Sequence, residues 1–534
     1  MDNDDDDTIY ALSSGSLAGQ TATAVAVVRL SGPHAHAILS ALTTTTTTTT
    51  TDDATATAAV GVVGLPPTRK AVVRTLYHPV TRSPLDQALV LRFDKPRSFT
   101  GEDVVEFHCH GSRAVLTGLL DTLAWFPTTR LAEPGEFTQR AFRAGKLDLL
   151  EVEALADLLQ ADTQTQRHQA LQQLEGKLSQ LYQNWRTQLT KGLAHAEAVI
   201  DFGDDEQVTL QQQHDDDHDD NNSAVWGGVV DQMNGLCQSL ESHLQDARRG
   251  ELVREGLRIA IVGPPNAGKS SLFNILAQRD AAIVSPMEGT TRDVLELSLD
   301  LGGVRCTLCD TAGIRRDTND TIEQVGMERA KAAASQAHVL IAMMDGSTLH
   351  DNNNNNNNNP QHGLSTIQDM IETNRPHTDD DDDDYNNVML VINKVDLAND
   401  DDDDDDDKVY HSLDKFPSNS TFRMSCLTNE GVDEFLEALT QMAVDRVSHP
   451  TNNAAVDNNN NEGAIITRAR HRQHVQAALQ ALRRFLQLSQ QGTMAVDMAA
   501  EELRLATSEL GRITGAVDVE DVLNVLFQDF CIGK

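Results

Sequence analysis

Residues 263–271 read Gly-Pro-Pro-Asn-Ala-Gly-Lys-Ser-Ser, the G-x-x-x-x-G-K-S spacing of a phosphate-binding loop. The glycines let backbone N–H groups wrap a polyphosphate, Lys269 reaches its terminal phosphates, and the Ser270 hydroxyl can ligate Mg²⁺. Asn266, Ala267, Gly268 and Ser271 complete the loop. Three further groups follow in order. Gly289-Thr290-Thr291-Arg292-Asp293 supplies a threonine suited to Mg²⁺ and a γ-phosphate. Asp310-Thr311-Ala312-Gly313 brings an aspartate that can hold Mg²⁺ through water and a glycine N–H that can sense the γ-phosphate. Asn393-Lys394-Val395-Asp396 ends in a carboxylate able to accept hydrogen bonds from the N1–H and exocyclic amine of guanine; adenine offers no such pair. Ser425-Cys426-Leu427 stands where a base-capping loop belongs. The series selects GTP. Ile314 follows the Asp-Thr-Ala-Gly group, so no side chain there can orient an attacking water as a glutamine would. No arginine finger can be assigned, so another group must neutralise transition-state charge. Asn266 is a candidate ligand for a monovalent cation in that role; its other reading is loop packing.

These motifs need stiff elements behind them. The apolar run 257–262 reads as a buried strand entering the phosphate loop, and 272–276 continues as a helix whose positive end faces the phosphates. Residues 304–309 and 388–392 read as strands delivering the next motifs. Residues 8–145 mix strands, turns and short helices, with strands expected at 24–30, 88–93 and 104–110. From Lys146 the period changes. Leu147, Leu150, Val152, Leu155, Leu158 and Leu159 recur at helical spacing, as do Leu171, Leu174, Leu178 and Leu181. Helical character continues to about 253, with an acidic interruption near 203–222, and returns after 449. The simplest packing is a helical domain with a nucleotide domain inserted into it.

Formal net charge is -38 over 534 residues, which superficially argues against a nucleic-acid partner, but most of the excess sits in aspartate runs at 4–7, 215–217, 379–384 and 400–407. With the poly-Thr tract 43–51 and the poly-Asn tracts 352–359 and 458–461, these runs are expected to be disordered insertions in loops. Six cysteines make no disulfide framework and fit a reducing compartment. No run of eighteen apolar residues exists, so no membrane span is expected. The acidic start Met1-Asp2-Asn3-Asp4 is the opposite of an Arg-rich transit peptide, so no presequence is visible. Cys306-x-x-Cys309 has zinc-like spacing but no second pair, and strand alternation explains it better. His108-Cys109-His110 offers neighbours that a strand turns to opposite faces. Cys531-Ile532-Gly533-Lys534 is a poor prenylation box.

Several strings resemble the MnmE (TrmE) family of tRNA-modification GTPases, of the 5-carboxymethylaminomethyluridine pathway. They are Asp7-Thr8-Ile9, Val28-Arg29-Leu30-Ser31-Gly32, Ser98-Phe99-Thr100-Gly101-Glu102-Asp103-Val104-Val105-Glu106, Pro134-Gly135-Glu136-Phe137-Thr138-Gln139-Arg140-Ala141-Phe142, Gly145-Lys146-Leu147-Asp148-Leu149 and the terminal Cys-Ile-Gly-Lys. One turn departs from the family: Ser13 to Thr23 replaces its Pro-Gly-x-Gly-Gly type.

The resemblance implies a multidomain α/β plus α architecture. It has an N-terminal α/β folate-binding and dimerisation domain over 8–145 and a discontinuous helical domain over 146–253 and 450–534. A Ras-like P-loop G domain over 254–449 is inserted between the two helical parts. The resemblance further implies K⁺-dependent hydrolysis, with Asn266, Ser285, Met287 and Thr290 around K⁺ and Ser270 and Thr291 on Mg²⁺. Glu323 would orient water indirectly. Arg29, Glu106, Lys146 and Lys534 match the positions that hold 5,10-methylene-tetrahydrofolate, whose 5-formyl form is a bound analogue. Cys531 matches a cysteine thought to serve the modification chemistry. The implied partners are a second copy, an MnmG-type protein bringing FAD and NADH into a heterotetramer, and tRNA modified at C5 of wobble uridine 34. The implied compartment is the mitochondrial matrix or another organelle in a eukaryote, otherwise the cytoplasm. A regulatory Era-like GTPase switch in ribosome assembly is the alternative.

Overall fold

The computed structural model describes residues 7–14, 23–48, 58–61, 64–206, 219–245, 247–264, 266–279, 282–283, 295–310, 336–348, 387–397, 420–448, 465–490, 496–517, 522–523, 526–527, 530 and 532–533. They fall into two compact units. The first comprises 1–156, 174–187 and 507–534, and the second 157–173 and 188–506.

The first unit is built on a six-stranded sheet. Its elements are β1 (Thr8–Leu12), β2 (Thr23–Ser31), α1 (Ala35–Thr43), β3 (Thr45–Thr48), β4 (Ala58–Gly61), β5 (Val72–Tyr77), β6 (Pro84–Phe93), β7 (Val104–Gly111), α2 (Arg113–Ala124), β8 (Thr129–Leu131), α3 (Glu136–Arg143) and α4 (Leu149–Gln160). The order is β5-β6-β7-β2-β1-β8, antiparallel except for the parallel pair β1–β8. The alternation of β2 decides the two faces. Val28 and Leu30 turn toward a core shared with Phe107 and Cys109 of β7, Ile38, Leu39 and Leu42 of α1, and Leu116, Leu119 and Leu123 of α2. Arg29 turns the other way, where Phe137 of α3 packs with Ile9, Ala11 and Ala132. Ser112 caps α2, its hydroxyl accepting from the Val115 N–H at 3.4 Å. Late residues complete this unit: Leu523, Leu526, Phe527 and Phe530 pack on Leu149, Val152 and Ala156 of α4. Ile532 bridges Pro134, and a Cβ on Gly533 would fall 2.4 Å from the Leu12 carbonyl oxygen.

The second unit carries α5 (Gln164–Leu174), α6 (Lys177–Glu206), α7 (Asp219–Gln245) and α8 (Ala247–Glu255), in whole or in part. Next come β9 (Leu257–Val262), α9 (Lys269–Ala277), β10 (Leu295–Leu301), β11 (Val304–Asp310), β12 (Val339–Asp345), β13 (Val388–Asn393), β14 (Thr421–Arg423) and α10 (Val432–Ser448). Then follow α11 (Ala469–Ser489) and α12 (Val496–Thr514). The sheet order is β10-β11-β9-β12-β13-β14, parallel except for the hairpin β10–β11. Strands β12 and β13 are apolar up to their last residues, Asp345 and Asn393, because both faces are covered, as parallel sheets require.

Three expectations change. The helical spacing through Leu171, Leu174, Leu178 and Leu181 belongs to two helices, because Gly176 at φ 77° breaks the run between α5 and α6. Part of the poly-Thr tract is ordered: Thr45–Thr48 pairs antiparallel with Ala58–Gly61, as suits β-branched residues. The interruption near 203–222 is narrower, with α6 running to Glu206 and α7 starting at Asp219. The poly-Asn tracts and the aspartate runs, apart from Asp7, lie outside the described residues. No described helix is long and apolar enough to cross a membrane.

Candidate functional site

The described parts of the nucleotide motifs, at 263–264, 266–271, 310, 393–396 and 425–427, lie at the C-terminal ends of β9, β11, β13 and β14, where ligands bind in open α/β sheets. The loop from β9 to α9 turns on Gly263 (φ 153°), Asn266 (φ 63°) and Gly268 (φ 104°). A Cβ on Gly263 would lie 2.2 Å from the Met343 carbonyl oxygen, and one on Gly268 would lie 2.0 Å from Asn393 Nδ2. Only glycine fits at either place. Lys269 Nζ donates to the Gly263 and Pro264 carbonyls at 2.8 Å each, which holds the ammonium over the loop. Ser270 and Ser271 lie in the first turn of α9, exposed at its positive end.

Asn393 joins three motif loops. It is buried; its Nδ2 donates to the Ala267 carbonyl at 2.8 Å, and its Oδ1 accepts from the Cys426 N–H at 3.0 Å. Ser425 Oγ donates to Asp396 Oδ1 at 2.5 Å and accepts from the N–H groups of Leu427 and Thr428 at 3.2 Å each. The Asp396 carboxylate is thereby held by the loop that follows β14. Lys394, itself at φ 65°, donates to Asp345 Oδ2 at the end of β12. Burial would raise the Asp345 carboxyl, but the Lys394 ammonium and the Ser347 hydroxyl more than offset it and hold it below the usual carboxylate range. Asp345 has no motif of its own; its only trace in the sequence is its position closing an apolar strand. Burial pushes the Cys426 thiol up to about 11; the side chain packs on the sheet core while its N–H donates to Asn393. Asp310 ends β11 opposite Ile261 of β9. Ser285, Met287, Thr290, Thr291, Thr311, Ala312, Gly313 and Glu323 lie outside the described residues.

The second site is the polar face of the first unit's sheet. Arg29 and Glu106 are cross-strand partners in β2 and β7. Arg29 Nε and Nη2 approach Glu106 Oε1 at 3.0 and 2.9 Å. The guanidinium sits 5.8 Å from the Phe99 ring centre and 5.7 Å from that of Phe137. His108, two residues along β7, brings Nε2 to 3.4 Å from Glu106 Oε2. Sequence reasoning missed Phe99, Phe137 and His108 here, although the period of two from Glu106 to His108 was a readable sign. The loop 98–106 is fixed from below. Ser31 Oγ lies 2.7 Å from Thr100 Oγ1 and donates to Glu102 Oε2 at 2.6 Å. Arg140 donates to both Glu102 oxygens, at 3.0 and 3.2 Å, and to Glu136 Oε1 at 3.0 Å. Arg130 grips Glu136 with two bonds of 2.8 and 2.7 Å. A Cβ on Gly101 would stand 2.8 Å from Ala144 Cβ and 3.6 Å from Lys146 Cε, which puts exposed Lys146 beside that loop. Cys531 and Lys534 lie outside the described residues.

The cysteine pairs behave as strand residues. Cys306 is buried in the sheet core, its thiol pushed up to about 12 by burial and then by Asp300, while Cys309 lies on the opposite face. Cys109 points into the other core, away from His108 and His110, and the latter pairs with Asp86 at 2.7 Å.

Comparison with known proteins adds the following. The family model of the GTP-binding protein TrmE N-terminus matches residues 8–146, and that of the MnmE helical domain matches 149–531. A tRNA modification GTPase MnmE of Parvibaculum lavamentivorans is 42% identical over 99% of this chain and 100% of its own length. The mitochondrial 5-taurinomethyluridine-(tRNA) synthase subunit GTPB3 of Danio rerio is 40% identical, with 99% of this chain and 93% of that protein covered. The Homo sapiens protein of the same name matches at 40% over the same shares.

Proposed function

Because the chain belongs to the MnmE (TrmE) family of tRNA-modification GTPases, we propose that it uses GTP hydrolysis to drive modification of C5 of wobble uridine 34 in tRNA. The group installed is of the carboxymethylaminomethyl or taurinomethyl type. The single observation that carries the reading is the company Arg29 keeps. A cation paired with Glu106 and flanked by Phe99 and Phe137 suits a flat pterin with an anionic tail, and a pure regulatory switch has no use for it. When bound there, 5,10-methylene-tetrahydrofolate supplies the one-carbon unit. Glu106, held by Arg29, would accept from pterin N–H donors, while Lys146 and Lys534 would neutralise the tail. The terminal Cys531 would act on the uridine side. A partner of MnmG type would bring FAD and NADH, in a heterotetramer with a homodimer of this chain.

At the nucleotide pole, the hydroxyl of Ser270 and the carboxamide oxygen of Asn266 are hard donors of the kind Mg²⁺ and K⁺ take. Gly263 and Gly268 leave a cradle that any Cβ would fill. Mg²⁺ with Thr291, and K⁺ with Ser285, Met287 and Thr290, would neutralise charge on the transferring phosphate. Lys269 orients the phosphates, Asp396 selects guanine, and Glu323 orients the attacking water indirectly. The division into 8–145, 146–253, 254–449 and 450–534 belongs to the same proposal, as does a mitochondrial or bacterial-type cytoplasmic setting. The test is mass spectrometry of wobble uridine after depletion: loss of the modified nucleoside is expected, and unchanged nucleoside with defective ribosomes would restore the regulatory-switch reading. GTP turnover in KCl should exceed that in NaCl at least tenfold, and Asn266→Ala should abolish the difference.

A further inference from the structure

The chain crosses between helices and nucleotide-binding sheet twice, at 250–256 and at 465–468, and the two crossings lie side by side. A Cβ on Gly250 would fall 1.9 Å from the Ile466 carbonyl oxygen. One carboxylate holds both crossings: Asp157 Oδ1 accepts from Arg254 Nε at 3.0 Å and from Arg468 Nη2 at 2.7 Å. A row of glutamines on α5 holds the same backbones. Gln166 Nε2 donates to the Arg254 carbonyl at 3.0 Å, and Gln169 Nε2 to the Gly250 carbonyl at 3.3 Å. Gln173 Nε2 donates to the Ile465 carbonyl at 3.2 Å and to Thr467 Oγ1 at 3.0 Å. Their spacing of three and four puts them on one helix face. Thr163 and Gln166 form a capping box that fixes the first of them: Gln166 Oε1 accepts from the Thr163 N–H at 3.3 Å, and Thr163 Oγ1 accepts from the Gln166 N–H at 3.4 Å. Asp162 pairs with Arg305 at 3.1 Å. Asp157, the three glutamines, Arg254, Arg305 and Thr467 line a polar cavity of about 410 Å³.

The location gives the seat its meaning. It lies where β9 begins at Leu257, beside Arg305 near the start of β11, and beside His338, which precedes β12. The far ends of those strands are Val262 before the phosphate loop, Asp310, and Asp345, the partner of Lys394. Each strand is a stiff rod roughly 20 Å long, at about 3.3 Å per residue. A displacement of these strands at the nucleotide end would therefore be felt at the seat. The seat is held by directional hydrogen bonds that water can replace, so it can shift register without opening an apolar core.

We propose that Asp157, with the glutamine row of α5, is a positioning device that carries the nucleotide state of the G domain to the helical scaffold, and that hydrolysis itself does not need it. The proposal rests on the tRNA-modifying reading above. In the full chain with its flavoprotein partner, Asp157→Asn should keep GTP turnover within twofold while lowering wobble-uridine modification at least tenfold, and Asp157→Glu should restore it. In wild type, hydrogen–deuterium exchange of the amides at 250–258 and 465–472 should differ between GDP and a non-hydrolysable GTP analogue, and in Asp157→Asn it should not. Wild-type modification by Asp157→Asn would overturn the proposal, as would identical exchange in the two nucleotide states of wild type. Should Asp157→Asn fail to fold, Gln169→Leu carries the same comparison. A wild-type protein inactive on wobble uridine would instead sink the functional reading, while the exchange comparison would still judge the link.

Discussion

Asp396 is aimed by Ser425, and that bond explains what a single atom change there should do. Asp396→Asn replaces an acceptor with a donor opposite the guanine amine. GTP affinity should fall at least tenfold and xanthosine triphosphate, with a carbonyl at that carbon, should gain; a fluorescent-nucleotide competition titration reads both. Glu136 makes a different case. It is buried between Arg130 and Arg140. Burial would raise its carboxyl, but the Arg130 bonds, the Glu133 N–H and the two guanidinium charges hold it below its ordinary value of 4.5. Glu136→Gln removes the buried anion that Arg130 and Arg140 share, leaving them Asp7 and Glu102, and should cost about 3 kcal/mol in urea unfolding at pH 7. A depressed carboxylate stabilises above its unfolded pKa and stops doing so as pH falls through its folded one. The gap between wild type and variant should therefore be full above pH 4.5 and close below it. The motif that contains Asp396 stands out in the sequence, but its bond to Ser425, 29 residues on, does not. The partnership of Arg29 with Glu106 was not legible as a contact, because 77 residues separate them and only sheet register brings them together. Asp345 with Lys394, 49 residues apart, was hidden for the same reason.

The strands and helices that carry motifs were the easiest to read, since a buried strand ending in a glycine loop has few other meanings. The runs at 257–262, 304–309 and 388–392 appear as β9, β11 and β13 almost to the residue. Breaks were harder: hydrophobic spacing passes straight through Gly176, and only its positive φ separates α5 from α6. Composition also misled at Thr45–Thr48, where a low-complexity tract retains the β preference of threonine and found a partner strand. The loop between β9 and α9 yields the prediction proper to this scale. Gly268→Ala puts a methyl 2.0 Å from Asn393 Nδ2 at a φ of 104°. The loop must move away from Asn393, so nucleotide binding should drop at least a hundredfold by titration calorimetry. Melting should fall as well, because neighbouring Ala267 belongs to the sheet core and its carbonyl accepts from Asn393.

At the scale of the whole chain, the first unit depends on residues from both ends of the sequence. Phe527 is buried against α4, and its carbonyl oxygen lies 2.8 Å from where a Cβ on Gly135 would be. Phe527→Ala should cost about 3–5 kcal/mol of that unit's stability. The loss should show as early protease cleavage within 8–145 while the nucleotide-binding sheet stays protected. The same arrangement has a consequence on the ribosome. The apolar face of α4, with Leu149, Val152 and Ala156, emerges some 370 residues before Leu523, the first of the residues that cover it. At roughly 5–20 residues per second, that is a wait of about 20–70 seconds. Throughout it a newborn chain displays an uncovered hydrophobic stripe, a natural hold for a chaperone until Leu523 to Phe530 are made.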